Sequence, residues 1–117
     1  MSTYHSRRAP IAITASHWLR EELQHCAKDA GCELEYSTSV PDARPYVGRR
    51  PMVILGFDVL TRIRKPIRSA RLVVVATLDA PNPRAFHHAG RVHASHVISL
   101  PDARAWLVEQ LLHPTEH

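Results

Sequence analysis

Met52-Val53-Ile54-Leu55 and Leu72-Val73-Val74-Val75-Ala76 are unbroken apolar runs of strand length, the first entered from Pro51 and the second from Arg71. A strand with one wet face alternates apolar and polar residues, so an unbroken run asks for cover on both faces. That is how strands read in a parallel sheet held between two helical layers. Ile11–Ile13 is a third run of this kind, and His96–Ile98 adds a fourth candidate strand. Glu33–Ser37 differs, because Glu33, Leu34, Glu35 and Tyr36 alternate and keep one polar face, which assigns this strand to an edge.

Helical signals fill the intervals. Ser16 suits an N-cap and Gly31 a left-handed stop, and between them Leu19, Leu23, Cys26 and Ala30 form one stripe at helical spacing. A short helix after Pro41 and another over Phe57–Arg64, stopped by Pro66, follow the second and third strands. Pro81 and Pro83 open a fourth helix through Phe86 to Gly90, and a fifth runs from an Asp102 start to Leu112 before Pro114. Strand–helix repeats joined by right-handed crossovers predict one doubly wound α/β domain. Its expected sheet is parallel and five-stranded, in order 2-1-3-4-5, with helices on both faces. The domain is expected over residues 9–113, with flexible tails at 1–8 and 114–117.

At 117 residues, 44% apolar, the chain suits a single core. Its longest apolar stretch is far short of the roughly 20 residues that cross a bilayer, and no long apolar run before Ile11 marks a signal peptide. Cys26 and Cys32 do not have Cys-x-x-Cys spacing and read as small core hydrophobes of a reducing, cytoplasmic protein. Fifteen Lys and Arg against eleven Asp and Glu give a net charge of +4, which favours acidic partners but is modest beside dedicated nucleic-acid binders.

Much of the basic charge lies between Arg49 and Arg71, where Arg49, Arg50, Arg62, Arg64, Lys65, Arg68 and Arg71 face the single acid Asp58. We read this segment as a solvated or protein-binding face, with Arg62, Arg64 and Arg68 as its contacts. Nucleic-acid binding through 49–71 is a third reading, weakened because Phe57 is its one nearby aromatic for stacking. Of nine histidines, His87, His88, His93 and His96 cluster in sequence, but His87 and His88 point to different helix faces and do not converge as a zinc site requires. Four glycines, dispersed at 31, 48, 56 and 90, supply neither a Walker loop nor a dinucleotide fingerprint. Neither metal nor cofactor is expected.

Ligand chemistry in open α/β sheets sits at the carboxyl ends of the strands. Here those positions carry Thr14, Ala15 and Ser16 after the first strand, Gly56 after the third, Thr77 after the fourth, and Leu100 with Pro101 after the fifth. The pattern resembles a CheY-like receiver domain. The resemblance implies paired acids after the first strand, a phosphoacceptor Asp after the third, Thr or Ser after the fourth and Lys-Pro after the fifth. Thr77 and Pro101 match; Ala15 and Ser16 stand for the acids, Gly56 for the acceptor and Leu100 for the lysine. Asp58 comes two residues late, at the start of a helix whose dipole favours it. Such a pocket lacks both the carboxylates that hold Mg²⁺ and the nucleophile, so a pseudo-receiver with no catalytic residue is expected.

Residues 13–23 (ITASHWLREEL), 30–37 (AGCELEYS), 53–60 (VILGFDVL) and 96–111 (HVISLPDARAWLVEQL) also resemble the receiver-like N-terminal domain of actinobacterial CpaE/TadZ-like septum site-determining proteins. In that family the domain precedes a MinD-like ATPase, and the proteins position division or pilus-secretion machinery. The resemblance implies a non-catalytic interaction or targeting domain, recruited to a pole or septum, with a MinD-like ATPase domain as partner where the natural chain continues. The second reading is a small-ligand or enzymatic site in the strand-end cleft around Thr14, Ser16, Gly56 and Thr77, although no general base accompanies it.

Trp18 and Trp106 both lie about a third of a turn from their helical stripes, so at least one is expected at the surface. Receiver-like domains commonly dimerise through the fourth helix, fifth strand and fifth helix. Trp106, with Phe86 beside it, is therefore the expected partner-facing anchor of a homodimer or other protein complex.

Overall fold

The computed structural model describes residues 9–43, 47, 50–63, 72–78 and 83–112. Along the chain these form β1 (Ile11–Ile13), α1 (His17–Ala30), β2 (Glu35–Ser37), α2 (Val40–Ala43), β3 (Val53–Gly56), α3 (Phe57–Leu60), β4 (Val73–Thr77), α4 (Pro83–Arg91), β5 (His96–Ser99) and α5 (Arg104–Leu112). All strand pairs are parallel and the five-stranded sheet has the expected order β2-β1-β3-β4-β5.

Unbroken apolar strands feed two cores. Ile11, Ile13, Val53, Leu55, Val73 and Val75 face one side, where they meet Val59 and Leu60 of α3 and Ala89 of α4. Their alternates Ala12, Ile54, Val74 and Ala76 face the other, against Leu19, Leu23 and Cys26 of α1 and Leu107 and Leu111 of α5. The period of two is intact, but both phases are apolar because both faces are covered. The expected stripe of α1 is buried throughout, with Ala27 added. Ser16 caps this helix, its Oγ accepting the Leu19 N–H at 3.2 Å, and Gly31 at φ 68° ends it in the left-handed region that favours glycine.

Strand limits shift by a residue, α2 starts at Val40 and takes in Pro41, and three further boundaries differ more from the sequence expectation. α3 is one turn long and does not reach Arg64. The N–H groups of Arg62 and Ile63 bond three residues back, to Val59 and Leu60, in a tighter turn that sends Ile63 into the core. α5 begins at Arg104, because Ala103 and Arg104 turn back onto the carbonyls of Ser99 and Pro101 after a cis Leu100–Pro101 peptide. β2 pairs over Glu35–Ser37 alone, while Leu34 is buried just before it. The expected tails, 1–8 and 114–117, lie outside the described residues, as do Arg49, Arg64, Lys65, Arg68 and Arg71.

Arg50 corrects the picture of one solvated basic face. It is 1% exposed, donating from Nη1 to the Ala9 carbonyl at 3.0 Å and from Nη2 to Glu35 Oε1 at 2.9 Å. A buried guanidinium is tolerated where hydrogen bonds and a counter-charge replace water, and Arg50 finds them at the entry to β1 and at the start of β2. Arg62 is exposed, as a surface charge should be. On the opposite sheet face, Arg104 pairs with Glu22 and ties α5 to α1.

These two arginines of one basic run should respond differently to truncation. Arg50→Ala leaves Glu35 and the Ala9 carbonyl without their partner and is expected to cost about 3 kcal/mol, the lower end for a broken buried pair because Glu35 keeps some water. Arg62→Ala should stay within about 0.5 kcal/mol of the parent. Urea denaturation midpoints compare the two, and equal midpoints would contradict the buried pair.

Candidate functional site

The chain leaves β1 through Thr14, which is buried, and its N–H bonds the Ser37 carbonyl at 2.9 Å. The Thr14 hydroxyl donates to Asp58 Oδ1 at 2.7 Å, and the Ala15 N–H donates to Asp58 Oδ2 at 2.7 Å. Thr14 Oγ1 in turn accepts the Ser16 N–H at 3.0 Å. Asp58 therefore spends both carboxylate oxygens on the β1–α1 turn, in bonds strengthened by its charge.

Gly56 lies beneath this clasp. A Cβ built there would overlap Asp58 Oδ1 and fall 2.7 Å from Thr14 Oγ1 and 2.8 Å from Thr14 Cβ. The backbone of Gly56 is ordinary and extended, φ −67°, ψ 144°, so room and not conformational freedom makes glycine necessary. Sequence reasoning placed Asp58 by the helix dipole and missed the clasp. The available signal was Gly-x-Asp directly after a central strand, with a hydroxyl residue closing the neighbouring strand.

Other expected pocket residues divide. Ala15 and Pro101 are exposed, and Ser16 is occupied in capping α1. Thr77 ends β4 buried, paired in register with Ser99, one step beyond the Gly56–Ala76 pair. Leu100 is buried in the α1–α5 core and not in the cleft. Thr14, Ala15, Ser16, Gly56 and Asp58 thus form one connected site, with Thr77 on the adjoining strand.

Elsewhere, Trp106 is half-buried against the α1–α5 core and meets the His96 ring at a 44° tilt, 4.7 Å between centroids, covering the β5 margin. The fully presented tryptophan is Trp18, 70% exposed. Phe86 is 57% exposed on α4. His87 and His88 contact each other edge-on at 5.7 Å, and among the described residues no three His, Cys, Asp or Glu converge as metal ligands.

The family model described as Rv3660c-like, CheY-like N-terminal domain matches residues 13–117. The chain belongs to this family. Solved structures share the fold of this Rv3660c-like domain. CheY4 of Vibrio cholerae is 19% identical, with 89% of this chain and 96% of that chain covered and a TM-score of 0.63. A CheY-like receiver from Methanospirillum hungatei is 10% identical, covering 89% and 90%, at 0.65. A pilus assembly-related protein from Burkholderia pseudomallei is 12% identical, covering 94% and 96%, at 0.58. At these identities the likeness is one of fold. No curated protein matches the sequence.

Receiver chemistry implies Mg²⁺, and the Rv3660c-like cleft does not fit it. The ion asks for several hard oxygen ligands at octahedral angles. Here, among the described residues, one carboxylate is present, both its oxygens already hold protein donors, and the Thr14 hydroxyl points its proton at that carboxylate.

Burial favours the protonated forms of Cys26, Cys32 and Tyr36. Desolvation pushes the Cys26 thiol up to about 11, offset in part by the Arg104 charge and reinforced by Glu22 and Asp29. Burial also raises Cys32, and takes Tyr36 to about 12 against the Arg20 guanidinium, which lies 4.7 Å over its ring.

Two predictions follow from this geometry. Because Gly56 has no room for a methyl, Gly56→Ala should destabilise by about 1–3 kcal/mol. Gly90 has nothing within 4 Å and sits in α4, so Gly90→Ala should stabilise by about 0.5–1 kcal/mol. Thermal melts of the pair check both signs, and a neutral Gly56→Ala would contradict the clasp. For pH, the folded Cys26 keeps its proton to about 11 whereas the ordinary thiol loses it near 9.0. The unfolded state binds fewer protons between these values, so stability is full below pH 9 and falls as pH rises toward 11. Urea midpoints across that window should show the loss, with a shallower slope in Cys26→Ala.

Proposed function

We propose that this domain is a non-catalytic pseudo-receiver, an interaction and targeting module related to the regulatory parts of septum-site or pilus-assembly localisation ATPases. The observation that carries this reading is the Asp58 clasp. Where a receiver would present a free acceptor carboxylate, Gly56 presents none, and the nearest carboxylate has both oxygens bound to Thr14 and Ala15. The fold likeness to a pilus assembly-related protein supports the localisation side of the reading. The clasp also engages the hydroxyl and the carboxylate that a polar ligand would use, which weighs against an enzymatic cleft.

The partners in this reading are proteins: a MinD-like ATPase domain where the natural chain continues, and a second copy through the α4–β5–α5 face. Phe86 supplies the exposed apolar contact there, and Trp106 the partly buried anchor beside His96. Arg62, and with it Arg64 and Arg68 beyond the described residues, supplies charge for an acidic partner surface. The site of action is the cytoplasm, at a pole or septum, and no helix among the described residues is long and apolar enough to cross a membrane.

Incubation with acetyl phosphate and Mg²⁺, followed by intact mass measurement, tests the central statement. The mass should not change. A stable gain of one phosphoryl group on Asp58 would overturn the pseudo-receiver reading.

A further inference from the structure

We infer that Asp58, Thr14 and Ser16 form a hydrogen-bond relay over the end of the sheet, through which the self-filled cleft fixes the start of α1 and the exposed His17–Trp18 pair. Asp58 stands in the first turn of α3, whose Val59 and Leu60 belong to one core. Leu19 and Leu23 anchor α1 in the core on the other face. The sheet lies between the two, so packing within either core does not join α3 to α1. At the strand ends a polar path does. Asp58 Oδ1 accepts the Thr14 hydroxyl at 2.7 Å, Thr14 Oγ1 accepts the Ser16 N–H at 3.0 Å, and Ser16 Oγ accepts the Leu19 N–H at 3.2 Å. Asp58 Oδ2 adds a second hold on the same turn through the Ala15 N–H.

The relay ends beneath an aromatic surface. Trp18 is 70% exposed, His17 meets it edge-on at 5.7 Å, and His17 Nε2 lies 3.0 Å from Glu21 Oε2 one turn on. An exposed indole has little packing of its own to fix it, so its backbone cap sets where it is presented. Resting on the pseudo-receiver reading, the relay replaces a state switched from outside by one fixed from within. The internal carboxylate holds the turn that a free cleft would leave to move.

The test measures amide hydrogen exchange at Ala15 and Ser16 by NMR in the full chain, together with Trp18 fluorescence anisotropy in a Trp106→Phe background. Asp58→Ala should speed exchange at both amides by about tenfold and lower the Trp18 anisotropy. Thr14→Val keeps the shape but removes the hydroxyl, and should speed Ser16 exchange and lower the anisotropy in the same way. Thr14→Ser restores the hydroxyl and should return both readings to the parent. A folded Asp58→Ala protein with parental Ser16 exchange and Trp18 anisotropy would overturn the relay. So would Thr14→Ser remaining as loose as Thr14→Val, and this pair decides the matter if Asp58→Ala does not fold. Phosphorylation of the parent chain by acetyl phosphate would instead sink the pseudo-receiver reading, while exchange in the unphosphorylated chain and its variants still tests the relay.

Discussion

Asp58 sits exposed just past the end of a central strand, within reach of water, and yet its carboxylate is bound by the chain itself. Asp58 finds its donors within the chain, in the Thr14 hydroxyl and the Ala15 N–H at 2.7 Å each. The arrangement is exclusive on two grounds. A side chain at position 56 would overlap Asp58 and crowd Thr14, and a second carboxylate there would place like charges against each other. The chain can carry an acceptor at position 56 or the clasp from position 58, and it carries the clasp.

Much of the remaining architecture serves to hold those few atoms in place. Parallel register brings Ile13 level with Leu55, so the residues that follow, Thr14 and Gly56, leave the sheet side by side. α3 starts at once after Gly56, which turns Asp58 back over the strand end. At the other end of the same strands, Arg50 joins the entries to β1 and β2 through Ala9 and Glu35. The edge strand β2 is short and half-buried, and this buried guanidinium compensates for packing that it cannot supply itself.

Features fixed by local sequence were legible, and those fixed by distant partners were not. Unbroken Val53–Leu55 and Val73–Ala76 announced cover on both faces, the alternation of Glu35 and Tyr36 announced an edge, and Ser16 and Gly31 announced both ends of α1, each through chemistry within a few residues. Arg50 looked like its basic neighbours because its distinguishing partners, Ala9 and Glu35, are remote in sequence. Asp58 was visible as an acid but not as a clasp, since its partners lie 44 and 43 residues away. α3 ended early for the same reason: the core claims Ile63, and a tighter turn delivers it there.

The two tryptophans show how far helical periodicity reaches. Both sit off their stripes by a similar angle, yet Trp106 is half-buried and Trp18 stands clear. The difference lies in what each flank meets. The flank of α5 that bears Trp106 overhangs β5, an edge strand whose exposed His96 gives the indole a ring to pack against, tilted, at 4.7 Å. Trp18 lies at the α1 flank toward α5, next along that row from Glu22, whose carboxylate is paired with Arg104. That polar junction offers an indole no apolar bed, so burying Trp18 would require desolvating a charged pair. Trp18 thus shares its helix flank with a charged residue already paired across to α5, whereas Trp106 shares its own with a ring, and it is Trp18 that stands at the surface.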